Sequence, residues 1–473
     1  MTSSMFSKLF SRQSCFLILS LVFASSCSRI DHKQSTLDPK GLIAQNQYDL
    51  FMLSVWITIF LFCAVGGCLL FVLWKYRVKN EEEAMEVPTQ THGNSKVETS
   101  LILASTVILV ILAIPTLQGV VLMNRVPDPN DKETLDKLNL ERSQIDGAIT
   151  VNVTGKRFFW VFEYPQFGIV TANELVFPVS KAVRINLTSD DVIHSFWLPK
   201  LAGKMDVMPG HENFMWFIAD EEKILSRVDG KGKPYKEDPK TAMPSVFDGK
   251  MRDVVFKKQD FFAEFEPVGG VFYGQCAEYC GNSHAYMSFR GLAQTDDDFD
   301  AWVKRMQEAQ NENLHPKPYN SERDYPEGAV VTFADDSLGK GVLRDYVAKN
   351  GASKGEAPNL SSGVWEKAHS DDYERGKQVF NKSECGKCHA LDRVGSGNIG
   401  PNLTLFGLRT SLAAGWMRND KKSLYEWLEN SNKVKFGNLM WNGKGVTDEH
   451  PLRKLRENPT EINQLVTYLL GQN

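Results

Sequence analysis

The sequence predicts a multidomain chain: a two-helix membrane hairpin, an all-β sandwich, and an all-α C-terminal domain. Three observations predict it. Two apolar segments, Leu50 to Trp74 and Leu101 to Met123, each exceed the roughly 20 residues that cross a bilayer as a helix. From about Gly147, apolar and polar residues alternate with period two, as in half-buried strands. Roughly the last hundred residues carry helical periodicity. A chain of 473 residues has room for two or three domains. Its net charge is −4 with no dense basic stripe, which argues against nucleic acid as a partner.

Residues 1–27 read as a secretory signal peptide: Lys8 and Arg12, an apolar stretch from Phe16 to Phe23, then small residues. Ala24-Ser25-Ser26 before Cys27 is similar to a bacterial lipoprotein cleavage site, with Ala24 where Leu is more usual. Two readings stand: Cys27 becomes a lipidated N-terminus, or cleavage is ordinary and Cys27 incidental. The hairpin occupies about 45–125. Its connector carries Lys75, Arg77, Lys79 and Lys96, so by the positive-inside rule it is cytoplasmic. The chain after Met123 then faces outward, which predicts a bacterial inner membrane protein with its large domains on the periplasmic face. Pro115 within the second span is tolerated in membrane helices.

The sandwich is expected over 147–310. Ile149 to Thr154, Val183 to Thr188 and Met215 to Ile218 alternate as strands, and Asp297 to Asn311 reads as a helix. A stretch rich in Lys, Asp, Gly and Pro, residues 220–259, reads as an exposed insertion. Residues 311–367 are polar, with Pro316, Pro318, Pro326 and Pro358, and read as a linker with a little local structure around Gly328 to Phe333. In 368–473, helices are expected from Asp371 to Phe380, around Ser423 to Asn430, and from Thr460 to Leu470.

Two motifs carry the chemistry. The first is Cys276-Ala-Glu278-Tyr-Cys280-Gly-Asn-Ser-His284-Ala-Tyr-Met287. Copper takes thiolate, thioether and imidazole ligands, and this loop supplies all three. Gly281 helps the loop turn. A second imidazole must come from elsewhere, and His194, just after a strand, is the best candidate. The Glu278 carbonyl could bind copper, while its carboxylate suits a hard ion such as magnesium. A Cys276–Cys280 disulfide or a zinc site of two Cys and two His are the competing readings, and neither explains Met287. Of eight cysteines, Cys63 and Cys68 lie in an apolar run as packing residues, and Cys15 and Cys27 lie in the leader.

The second motif is Cys385-Gly-Lys-Cys388-His389. C-x-x-C-H attaches haem c through two thioethers, with the His as one axial ligand. Met417 and Met440 are candidates for the other; a Met there raises the haem potential. Arg409 could pair with a haem propionate or be solvated, and Pro401 is expected to pack against His389.

The copper pattern, the upstream His and the preceding two-helix anchor resemble subunit II of cytochrome c oxidase over roughly residues 45–300, apart from the insertion. The resemblance implies a cupredoxin-like sandwich holding a dinuclear CuA centre through His194, Cys276, the Glu278 carbonyl, Cys280, His284 and Met287. It also implies a magnesium ion on the Glu278 carboxylate, shared with subunit I. Quinol oxidases share this fold without these copper ligands. Val97-Glu98-Thr99 matches the family's acidic entrance to a proton channel. Ser95-Lys-Val-Glu98 also reads as a capping box, and both readings can hold. The aromatic stretch Phe158 to Tyr164 matches the family's aromatic cluster. Phe158 replaces the first Trp, which receives electrons from soluble cytochrome c, and Trp160 matches the second. Trp160 is then either a relay or a packing residue of the sandwich.

The C-terminal segment resembles class I cytochromes c. Gly400-Pro401-Asn402-Leu403 fits the segment after the haem motif, and Lys435 to Met440 fits the loop with the axial Met, with Trp441 in place of the usual Pro. This selects Met440 over Met417. The whole architecture is similar to subunit II of a caa3-type oxidase. That implies an outside donor, such as a quinol–cytochrome c reductase or a soluble redox protein. It also implies partner subunits I and III in the lipid bilayer, and oxygen reduction with proton pumping in subunit I. Two alternatives stand beside it: the electron-accepting subunit of a CuA-dependent nitric oxide reductase, and a membrane-anchored electron carrier without a catalytic partner. A nitrous oxide reductase would need many more His than the nine present.

Overall fold

The computed structural model describes residues 34–78, 81, 85, 87, 93–179, 181–225, 270–310, 316–340, 342–391, 395–443 and 446–472. The leader with Cys27, most of the 220–259 insertion and Lys79 lie outside the described residues. Two helices span the hairpin, α1 (Leu42–Lys75) and α2 (Ser95–Met123), both long and apolar enough to cross a membrane. At about 1.5 Å per residue, the 34 residues of α1 exceed the ~30 Å hydrocarbon core. The surplus lies at its start, where Ile43 and Ala44 are buried. There Leu42 N donates to Ile218 O (3.2 Å) and Ala44 N to Leu201 O (3.3 Å), which ties the hairpin to the sandwich. The cap of α2 differs from expectation. Asn94, not Ser95, is the N-cap; its side chain accepts from Lys96 N and Val97 N, an oxygen reach that Ser95 inside the first turn cannot supply.

Two short helices, α3 (Lys132–Leu138) and α4 (Arg142–Asp146), lead into the sandwich. Its strands are β1 (Ile149–Lys156), β2 (Phe159–Tyr164), β3 (Ile169–Ala172), β4 (Glu174–Pro178), β5 (Val183–Ser189), β6 (His194–Trp197), β7 (Lys204–Val207), β8 (Asn213–Phe217), β9 (Val271–Cys276) and β10 (Ser288–Gln294). They form two five-stranded sheets, β3-β2-β1-β5-β8 and β4-β10-β9-β6-β7. The alternation read in the sequence puts Ile149, Val151 and Val153 of β1 inside, and the parallel neighbour β5 adds Val183, Ile185 and Leu187 in the matching register. Between the sheets Phe196 stacks on Phe289 at 4.5 Å, with Trp160 edge-on to Phe196 at 5.4 Å. Helix α5 (Asp296–Gln310) closes the domain by burying Phe299, Trp302 and Met306.

The segment read as a linker holds a sheet: β11 (Lys317–Pro318), β12 (Val330–Ala334), β13 (Leu343–Ala348) and β14 (Trp365–Lys367). Its core is Val331, Tyr346, Ala348 and Trp365, with Tyr319, Tyr325 and Phe333 packed on it. A few large aromatic rings bury enough area for this small module despite its polar composition. Arg344, fully buried on β13, reaches Asp335 at 2.7 Å and Asp371 at 2.6 Å. Asp371 opens the next helix, so the module is fastened to the C-terminal domain. That domain contains α6 (Asp371–Lys382), α7 (Lys421–Val434), α8 (Leu439–Asn442) and α9 (Pro459–Leu470). Helices α6 and α9 cross closely around Phe380, Ile462, Leu465 and Tyr468.

Candidate copper and haem sites

Strands β9 and β10 are antiparallel, and Cys276 N donates to Met287 O (2.8 Å), so the eleven-residue sweep between them returns to its own base. The turn is made at Gly281, whose φ of 127° is one that side chains rarely adopt. A one-turn 3₁₀ helix over His284–Tyr286 then sets His284 and Met287 on the inner side. From the neighbouring strand, β6 begins at His194, fully buried, and Ala277 N donates to Ser195 O (2.9 Å).

The six expected ligands converge in two halves. The Cys276 and Cys280 sulfurs lie 3.9 Å apart. Cys276 Sγ lies 3.9 Å from His194 Nδ1 and 3.2 Å from the Glu278 carbonyl oxygen. Cys280 Sγ lies 3.7 Å from His284 Nδ1 and 3.8 Å from Met287 Sδ. Each sulfur thus has one imidazole and one weaker donor, and the thiol pair sits between. A bonded disulfide would bring the sulfurs to about 2.05 Å, so the two are free thiols here. The donor set, two thiolates with two imidazoles, a thioether and a carbonyl, fits a copper centre. One zinc ion has no use for six converging donors.

The electrostatics favour a thiolate. The hydrogen bond from Cys280, against the opposing effect of burial, holds the Cys276 thiol down at about 4, with His194 adding to the shift. Cys280 is pushed up by Cys276, to which its thiol donates, and by burial. His194 Nε2 lies 2.8 Å from Asp191 Oδ1. Although burial opposes it, Asp191 raises the imidazole above its ordinary range, and His194 with the Arg157 and Val192 amides holds Asp191 low. Asp191 was not singled out from the sequence; a carboxylate three residues before a candidate ligand His was the available signal.

Trp160 is fully buried, 5.9 Å from the His194 ring and 5.8 Å from Phe289. It packs beneath the copper loop. Glu278 is exposed, with its carboxylate accepting from Tyr279 N. Glu98 is exposed in the first turn of α2.

In the C-terminal domain, Cys385, Cys388 and His389 follow α6 on one tight turn. His389 Nδ1 lies 2.8 Å from Pro401 O, which leaves Nε2 for an iron. Burial holds this imidazole below its ordinary range, so it stays a neutral ligand. Cys385 and Met440 are half-buried at the edge of the domain core, while Met417 is 5 % exposed within it. Arg409 lines a cavity of about 30 Å³ together with Glu174 of the sandwich. The donor set fits a covalently attached haem.

Comparison with known proteins identifies relatives of both domains. Residues 169–227 match the family described as cytochrome C oxidase subunit II, periplasmic domain, and residues 373–473 match cytochrome c. The chain is 31% identical to cytochrome c oxidase subunit 2 of Bacillus sp. (strain PS3), over 92% of this chain and 91% of that one. It is 29% identical to cytochrome c oxidase subunit 2 of Alkalihalophilus pseudofirmus, over 92% of each. The periplasmic domain of subunit II of cytochrome oxidase from Bradyrhizobium japonicum is 26% identical over 34% of this chain and 94% of that one, with a TM-score of 0.23.

Proposed function

The chain belongs to the cytochrome c oxidase subunit 2 family, and from that premise we propose that it feeds a terminal oxidase through two centres of its own, a haem c and a CuA pair. When bound, these groups supply one-electron chemistry at low cost in rearrangement. The residues of the chain hold and tune them. Cys385 and Cys388 would anchor the haem by thioethers, and His389 and Met440 are the residues that would be offered to its iron. Met440 is chosen over Met417 because Met417 is already packed in the core. His194, Cys276, the Glu278 carbonyl, Cys280, His284 and Met287 hold the copper pair.

In that role the chain would take electrons from an outside donor at the haem and hand them on through the copper pair to subunit I, which would reduce oxygen to water and pump protons. The large domains face the periplasm of a bacterial inner membrane, and subunit III completes the complex. We further propose that the exposed Glu278 carboxylate would share a magnesium ion with subunit I and that Glu98 admits protons. Trp160, against His194, is offered as an aromatic relay at the copper site. A covalently tethered donor domain has a high effective concentration at the copper site, so a strong docking site for a diffusing cytochrome is less needed.

One observation carries this reading: two free thiols 3.9 Å apart, each flanked by an imidazole and a weaker donor, in a chain that also holds a C-x-x-C-H domain. The test is a reduced-minus-oxidised optical spectrum of the complex purified through a tag on this chain. An a-type band beside a c-type band is expected. A c-type band with only b-type haem would turn the reading towards a nitric oxide reductase. A c-type band alone would leave a membrane-anchored carrier.

A further inference from the structure

The C-terminal domain lies against the sandwich, and one buried contact between them is a hairpin meeting two charges of opposite sign. The hairpin runs from Ser411–Leu412 to Met417–Arg418, and its turn holds Ala413, Ala414 and Gly415 at positive φ. Opposite it, Glu174 of β4 and Arg290 of β10 are direct neighbours in a parallel register. Both are buried, at 5% and 6% exposure.

Glu174 Oε1 accepts from Thr410 N (3.0 Å), Thr410 Oγ1 (2.7 Å), Ser411 N (2.9 Å) and Ser411 Oγ (3.0 Å). Arg290 donates to the Gly415 carbonyl and sits over the Tyr273 ring, 4.1 Å from its centroid. The carboxylate thus takes the donors at the start of the hairpin, and the guanidinium takes the acceptor at its turn. A buried carboxylate or guanidinium is costly unless it is hydrogen-bonded, and here the other domain supplies much of what each needs. The four bonds to Glu174 come from two adjacent residues, so the start of the hairpin is fixed at one point.

The clamp sets what lies over the copper loop. Trp416, next in the hairpin, meets Tyr286 at 5.0 Å between ring centroids, and Tyr286 stands between the ligands His284 and Met287. Ser283 of the same loop donates to Phe436 O, and Lys435, buried, donates to Phe158 O at 2.5 Å. The surface around Phe158 and the loop is therefore covered by the chain's own C-terminal domain.

We infer that Glu174 and Arg290 are positioning residues that clamp the Ser411–Arg418 hairpin and so hold the haem-bearing domain over the copper loop in the arrangement in which the electron passes. The inference rests on the function proposed above. One electron moves from the reduced haem iron, which is oxidised, to the oxidised copper pair, which is reduced. No bond is made or broken. An outside donor then meets the haem-bearing domain over the part of the loop that carries Ser283 and Tyr286.

The test compares Glu174→Ala, the opposing pair Thr410→Val with Ser411→Ala, and all three together, in the intact complex. Two quantities are read: hydrogen exchange of the amides of residues 410–418, and the rate of haem-to-copper electron transfer after rapid reduction of the haem. Glu174→Ala is expected to speed exchange and slow transfer about ten-fold, from the loss of charge-assisted bonds, with KM for the outside donor unchanged. The opposing pair should act in the same direction, and the triple variant should fall short of the sum, as residues in one network do. Unchanged exchange and transfer in Glu174→Ala, or strictly additive effects, would overturn the clamp. Should Glu174→Ala disturb the copper or haem bands, the variants on the hairpin side decide. Absence of a copper band in the parent complex would fail the functional reading alone, since the exchange measurement stands without it.

Discussion

Asp191 Oδ1 stands 2.8 Å from His194 Nε2, and the far nitrogen of that ring, Nδ1, faces the Cys276 sulfur. The carboxylate therefore fixes both the ring orientation and which nitrogen is free for copper. The Arg157 and Val192 amides hold Asp191 in turn, at 2.8 and 2.7 Å. Replacing the charge while keeping the shape, Asp191→Asn, should weaken copper retention about 10- to 100-fold. Copper content after challenge with a graded chelator measures this. Retention equal to the parent would show that His194 is oriented by packing alone.

The choice between two methionines follows from burial. Met417 is 5% exposed inside the C-terminal core, and Met440 is half-buried at its edge, at the start of α8. Met440→His should lower the haem potential, because a thioether axial ligand raises it. Met417→Leu keeps the volume and should leave the potential unchanged. A redox titration followed at the c-type band reads both variants. A shift in Met417→Leu with none in Met440→His would reverse the assignment.

Much of this was legible because the chemistry is local in sequence. Five of six copper donors lie between Cys276 and Met287, and the haem thioethers and His389 are contiguous. The membrane helices and β1, β5 and β8 declared themselves by length or by alternation. His194 could be named because it follows a strand, where a sandwich presents it at the same end as the loop. What escaped was long-range. Glu174 and Thr410 are 236 positions apart, and neither stands out in its own neighbourhood. The module around Trp365 was read as a linker because its apolar residues are few and widely spaced, although they are large. Asn94 and Ser95 compete for one cap, and only the helix geometry separates them.

Helix α6 owes its close approach to α9 to Gly376. A Cβ there would fall 2.0 Å from Gln464 O and 2.6 Å from the Tyr468 Cβ. The first of these is backbone and cannot swing aside. Gly376→Ala must push the helices apart, opening the contact of Phe380 with Tyr468. The expected loss is about 1–3 kcal/mol, the usual cost of overpacking. A guanidinium midpoint followed at the haem band measures it. An unchanged midpoint would mean that the α6–α9 crossing is looser than described.

Arg344 joins the four-stranded module to α6 through Asp335 and Asp371, and it also donates to His369 O (3.3 Å). Asp335 is nearly buried and Asp371 half exposed. Removing the guanidinium therefore leaves chiefly Asp335 without its counter-charge. Arg344→Met should cost roughly 3 kcal/mol, the low end for breaking a buried pair. Limited proteolysis should then cut first between residues 316 and 370, leaving the haem domain intact. Parent-like resistance would show that the aromatic core of the module holds it without the ion pair.

Glu374, on α6 beside this junction, gives the chain a pH dependence with a definite sign. It is 1% exposed, and burial pushes its carboxyl above the ordinary range, with Asp345 adding to the rise and Lys377 and Arg344 opposing it. Above the unfolded value of about 4.3, the unfolded chain has lost this proton while the folded chain keeps it. Stability therefore falls as pH rises, until the folded group also ionises, and the penalty is constant thereafter. Glu374→Gln keeps the shape and removes the ionisation. Variant and parent should melt alike at pH 4, and the variant should melt higher at pH 7 and above. Thermal unfolding followed at the haem band across this range measures the difference. A gap that is constant with pH would mean that Glu374 titrates like an ordinary surface carboxylate and that its effect is one of packing alone.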